Sequence, residues 1–151
     1  MNNEFSKGLW LLPFISTHEV RLQTLQWKIL MNIYPTASIL SKMKIKPTDK
    51  CDVCKSIETI DHFFFLCAKR RKLWEYVNNI LLSLFSRRIV ITWEKAVLGI
   101  LSEHGLNKKE IKLINLILLI AKLVISKTEY GVRQDPCILM ENELRLRKIL
   151  P

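Results

Sequence analysis

The chain has 151 residues, 49% of them apolar, with only four Gly and five Pro. That is enough for one domain with a real core, too little for two, and too apolar and too poor in breakers for a disordered chain. Lys and Arg number 24 against 14 Asp and Glu, a net charge of +10. Such a surplus favours a polyanionic partner, nucleic acid first and an anionic membrane surface second, with a charge that serves solubility alone as the plainer alternative.

Residues 1–15 run from polar to apolar through Leu9-Trp10-Leu11-Leu12-Pro13-Phe14-Ile15. They read as an N-terminal arm: Pro13 breaks a helix, and the apolar run is too short for a signal core followed by a cleavage site. Residues 16–151 read as a single helical domain. Ser16-Thr17-His18-Glu19 fits a capping box that opens a helix with Leu22, Leu25, Ile29 and Ile33 on one face, ended by Pro35. Thr36 caps a shorter helix from Ala37 to about Met43, with Ile39, Leu40 and Met43 turned inward.

Next comes CDVCKSIETIDHFFFLC, Cys51 to Cys67, inside a knuckle spanning 47–67. Cys51, Cys54, His62 and Cys67 fall within seventeen residues, and three thiols with one imidazole at short spacing can close a tetrahedral shell around Zn2+. This reading outweighs a redox dithiol or unligated core cysteines, because a lone Cys-x-x-Cys carries far less information than four grouped ligands. A closed four-residue set leaves no position for water, so the zinc would be structural. Thr59 is a candidate cap for a short helix carrying His62, with Cys67 at or just past its end and the Phe63–Phe65 run packed beneath. The grouping also favours a reducing, intracellular compartment over disulfides, and Cys137 is left over as a small buried hydrophobe.

Between residues 42 and 72 stand nine Lys or Arg against four Asp or Glu, a surplus of five and half the net charge. Lys42, Lys44, Lys46, Lys50, Lys55, Lys69, Arg70, Arg71 and Lys72 are the candidate phosphate contacts. The 69–72 run also has the composition of a nuclear localisation signal, a pattern with many false positives. Leu73, Val77, Ile80, Leu81 and Leu84 then mark a helix of about four turns, with Trp74 at its zinc end. Thr92 caps a helix to about Leu98. Asn107 and Glu110 open a long one to about Lys127, apolar over the thirteen positions from Leu113 to Ile125 apart from Asn115 and Lys122. That is shorter than a membrane span and reads as the central buried helix. Asp135-Pro136 starts the last helix, to about Leu150. His18 and His104 read as solvated. The expected fold is mostly α: about six helices around one small Cys-Cys-His-Cys zinc knuckle.

Leu25-Gln26-Trp27-Lys28-Ile29-Leu30, Tyr34-Pro35-Thr36, the Cys-x-x-Cys pair, Glu58-Thr59-Ile60-Asp61-His62-Phe63-Phe64-Phe65-Leu66-Cys67 and Trp74 follow one another in an order that resembles the zinc-binding region of reverse transcriptases of non-LTR (LINE-type) retrotransposons. The resemblance covers residues 20–76, and Ala121 to Lys127 extends it more loosely to about 130. It implies one structural zinc on Cys51, Cys54, His62 and Cys67, and RNA or an RNA–DNA junction as partner, with the polymerase portion of a parent protein as a second partner. The polymerase's paired aspartates have no counterpart: Asp49, Asp52, Asp61 and Asp135 are scattered. The chain, beginning at its own methionine, therefore resembles a detached module that does not polymerise. The alternative is a structural or protein-interaction remnant without nucleic-acid binding. An enzyme is the weakest reading, because the ligand set is closed and no acid–base pair is positioned.

Overall fold

The computed structural model describes residues 3–151, with side chains from Lys7 onward. Its helices are α1 (Asn3–Ser16), α2 (Val20–Leu30), α3 (Ala37–Lys42), a π-helix (His62–Leu66), a 3₁₀ turn (Ala68–Arg70), α4 (Arg71–Phe85), α5 (Trp93–Leu98), α6 (Lys108–Glu129) and α7 (Pro136–Leu146). Among the described residues the β-structure is a single antiparallel bridge between Lys50 and Ile57.

The centre is α6, against which α1, α2, α4 and α7 pack. Its start is set locally: Asn107 accepts from the Glu110 N–H at 2.9 Å while the Glu110 carboxylate reaches back to the Asn107 N–H, satisfying two of the free donors of the first turn. From Ile117 to Ile125 every residue is buried, as its apolar sequence demands. The two polar interruptions hold neighbouring elements in place. Asn115 accepts from the Ile100 N–H and donates to the Ile100 carbonyl, both at 2.8 Å. Lys122, 1% exposed, donates to the Val97 carbonyl at 2.9 Å and to the Gln26 side-chain oxygen, and Gln26 donates to the same Val97 carbonyl. Gly99, between α5 and this contact, has φ +93°, and a Cβ there would stand 2.9 Å from Leu12 and 3.1 Å from the Asn115 oxygen. Only glycine meets both demands.

Four local expectations hold. Thr92 caps α5 by accepting from Lys95, Asp135 accepts from the N–H groups of Cys137 and Ile138, α4 buries Leu73, Val77 and Leu81, and α6 runs at the expected place. The N-terminal part differs. The expected arm at 1–15 is a helix with Pro13 inside it, packed on α2 and α6; residues 1 and 2 lie outside the described residues. Leu9, Pro13 and Ser16 recur along its buried side, so tertiary burial overrides the proline penalty. Ser16 therefore ends α1 instead of opening α2. Thr17 accepts from the Glu19 N–H, and the Glu19 carboxylate is drawn instead to Arg147, at 2.6 and 2.7 Å. That guanidinium, which also bonds Glu143, holds the Glu19 carboxyl below its usual range. Helix α2 stops at Leu30, before Pro35, because Asn32 turns left-handed at φ 56°. Ile33 and Met43, expected inward, are exposed.

Candidate metal centre

Two short structures make the site. The first is the knuckle closed by the Lys50–Ile57 bridge, where the Cys51 N–H donates to Ser56 at 2.8 Å and the Lys55 N–H to Cys51 at 3.0 Å. Lys55 adopts φ +61°, a left-handed residue that reverses the chain immediately after Cys54 and so turns both sulfurs to one side. The second is the π-helix. Thr59 accepts from the His62 N–H at 3.3 Å at its start, and the Cys67 N–H closes it on the His62 carbonyl at 2.9 Å. That bond spans five residues rather than four, the wider turn often found at functional sites. Cys67 lies just past its end, as expected.

The sulfurs of Cys51 and Cys54 each lie 3.8 Å from that of Cys67, and the four ligand atoms are within 4.8 Å of one another. A tetrahedral ion with Zn–S bonds of about 2.3 Å would place its sulfurs about 3.8 Å apart. Further support comes from His62, whose Nε2 is buried without a hydrogen-bond partner while Nδ1 lies 3.5 Å from the Ser56 hydroxyl. A buried orphan nitrogen is costly, and a metal bond is what would satisfy it. Burial works against the Cys51 thiolate, yet the Cys54 and Val53 N–H groups and the His62 ring bring its pKa down to about 7. Burial and the neighbouring Cys51 and Cys54 sulfurs push Cys67 up to about 11. The protein alone therefore resists gathering several thiolates, and a divalent cation supplies the missing counter-charge. Cys51, Cys54, His62 and Cys67 fit one structural zinc.

Beneath the site, Phe63 and Phe64 are fully buried. Tyr34 meets Phe64 edge-on at 4.8 Å and Tyr130 stacks on Phe63 at 6.2 Å. The Trp74 indole donates to the Phe64 carbonyl at 2.8 Å, so Trp74 secures the zinc end of α4 as expected. The candidate cations divide. Lys42, Lys44, Lys46, Lys50, Lys55, Arg71 and Lys72 are exposed and, among the described residues, unpaired. Arg70 is a correction: it is buried, donates to the Phe63 carbonyl at 2.7 Å and to Glu129 at 3.1 Å, and lies over the Phe63 ring. Its guanidinium is engaged within the core. Lys69 pairs with the same Glu129 at 3.0 Å. Two of the four cations in the 69–72 run are therefore engaged internally. Glu129 and Tyr130 were not legible as parts of this site, since nothing near them in sequence points to the zinc knuckle. His18 and His104 are exposed.

No helix among the described residues is long and apolar enough to cross a membrane. No curated protein and no solved structure matches the chain. The family model described as zinc-binding in reverse transcriptase matches residues 2–74. That span begins earlier than the expected 20–76 and takes in α1, whereas the looser extension toward residue 130 falls outside it. It contains all four clustered ligands, and over residues 2–74, just under half of its length, the chain is similar to the zinc-binding regions of reverse transcriptases.

Proposed function

We propose that the protein is a zinc-stabilised nucleic-acid-binding module that holds RNA or an RNA–DNA junction by its phosphates and has no polymerase activity of its own. The observation that carries this is the distribution of free charge. Lys42, Lys44, Lys46, Lys50, Lys55, Arg71 and Lys72 flank the four metal ligands in sequence, are exposed, and are not neutralised by nearby carboxylates among the described residues. Free cations on and beside a metal-stiffened knuckle can meet successive phosphates, and binding of that kind releases counterions and weakens steeply with salt. The resemblance to retrotransposon reverse transcriptases supports the same class of partner.

The test measures bound zinc and affinity for a single-stranded RNA at two salt concentrations, for the wild type and for Lys44, Lys46, Lys50 and Lys55 changed together to Gln. One zinc per chain in both proteins, with a salt slope lowered by up to about three in the variant, is expected, since each lost phosphate contact removes about 0.7 from the slope on a single strand. Absence of binding at either salt would refute the proposal. A second reading rests on α1, which exposes Leu11, Phe14 and Ile15. An apolar stripe of that kind suits a protein partner, such as the polymerase portion of a parent protein.

A further inference from the structure

We infer, building on the nucleic-acid reading above, that the cleft between the π-helix and α4 is a pocket for one unpaired nucleobase. The cleft encloses about 280 Å³ beside the metal ligand Cys67, just below the usual range for drug-sized ligands and suited to a single planar group. Its α4 wall is Arg71, Trp74, Glu75 and Asn78. These stand at i, i+3, i+4 and i+7, so one helix face supplies them all. The opposite wall is Phe65 and Leu66, presented by the wide turn of the π-helix.

The two aromatic rings do different work. Trp74 is buried and tied to Phe64 through its indole N–H, so it is a fixed wall. Phe65 is half-buried, with its ring 5.3 Å from that of Trp74, and Leu66 beside it is exposed. Phe63 and Phe64, by contrast, are spent on the core. Phe65 is therefore the one ring of the Phe run with a face left for a ligand. The polar groups on α4 are also free: Arg71, Glu75 and Asn78 are exposed and make no side-chain hydrogen bond or ion pair among the described residues.

A stacking surface beside a cation, an amide and a carboxylate is the equipment that reads a splayed-out base. Arg71 takes the phosphate, continuing the charged track with Lys72. Asn78 donates and accepts, while Glu75 only accepts. A carboxylate is an odd neighbour for a phosphate-binding cation unless it has a donor of its own to meet. It selects a base with N–H groups on its pairing edge, guanine first, because guanine offers two adjacent ones.

Glu75→Gln separates this arrangement from simple charge attraction, because the two predict opposite signs. If phosphates alone drive binding, removing a negative charge beside Arg71 and Lys72 tightens it. If Glu75 accepts from a base, the same change weakens binding of a single-stranded RNA carrying one central guanine, by about fivefold or more, and leaves an all-uridine strand little affected. Phe65→Leu, at normal zinc content, is expected to weaken binding by roughly 5- to 100-fold without changing the salt slope, since no phosphate contact is lost. It also abolishes the fluorescence quenching of a central 2-aminopurine on binding. Wild-type RNA binding that both variants retain or improve would overturn the pocket. Absence of wild-type RNA binding would instead remove the nucleic-acid reading, and the pocket with it.

Discussion

Replacing Lys122 by methionine is expected to flatten the rise of stability with pH. The Lys122 amine is 1% exposed on the central helix, and burial lowers its pKa from 10.5 to about 7. Its two acceptors, Val97 O and the Gln26 side-chain oxygen, match the two N–H groups of a neutral amine; an ammonium would bring a third donor and a charge, with no carboxylate paired to it among the described residues. Above pH 7 the native state binds fewer protons at this site than the unfolded chain does. Stability due to this group therefore rises with pH, by about 1.4 kcal/mol per unit from near pH 7 toward the unfolded pKa. Below pH 7 both states are protonated and the penalty is constant. Methionine has nearly the same length and does not titrate, but leaves the Gln26 oxygen without its donor, a fixed cost of about 1–3 kcal/mol. Between pH 7 and 9 the stability of the wild type relative to Lys122→Met is expected to rise by roughly 2–3 kcal/mol, which corresponds to roughly 4–12 °C in Tm for a chain of this size. Urea denaturation at pH 7, 8 and 9, with zinc and reductant in excess, measures it. The zinc ligands are common to both proteins, so their own pH dependence cancels in the difference. Parallel profiles would refute the reasoning and place a charged lysine in the core.

Cys54→Ser or His62→Ala is expected to lose stoichiometric zinc and to unfold the 45–75 segment, because metal binding energy at such sites is folding energy; a metal assay with amide exchange checks it, and normal protection in a metal-free variant would contradict it. Acidification is expected to release the metal from the wild type in the same assay, since every thiolate and the imidazole must then take up a proton. Arg70→Ala and Arg71→Ala are expected to behave oppositely despite being neighbours. The first leaves the buried Phe63 carbonyl without its Arg70 donor and Glu129 with Lys69 alone, a loss of about 1–3 kcal/mol. The second is expected to fall within about 0.5 kcal/mol in denaturation while weakening RNA binding.

Much of this molecule is written in short sequence patterns. The four zinc ligands lie within one seventeen-residue stretch, and Thr92, Asn107 and Asp135 each satisfy N–H groups within three residues of themselves. Interactions of that reach are legible because both partners are on the page together. Pro13 shows where legibility ends. Its local meaning is to interrupt a helix, and only the packing of α1 on α2 and α6 reverses it. The same holds for Arg70, whose sequence surroundings are those of a surface cation. What buries it is Glu129, fifty-nine residues away, together with a 3₁₀ turn that aims the guanidinium beneath the π-helix.

Helix α6 carries a consequence for how such a region can be passed from one protein to another. The matched segment ends at residue 74, yet Tyr34 is tied to Ser126 at 2.7 Å, Tyr130 covers Phe63, and Glu129 anchors Arg70. Part of the packing behind the metal ligands thus comes from chain beyond the recognisable part. A border in sequence is here not a border in space. Cut at residue 74, the segment would keep every ligand and the Phe63–Phe64 floor but lose the groups that cover it, so portability requires either this long helix or a substitute that presents the same groups. The recognisable half is inherited as a pattern, but it is inherited as a structure only in company.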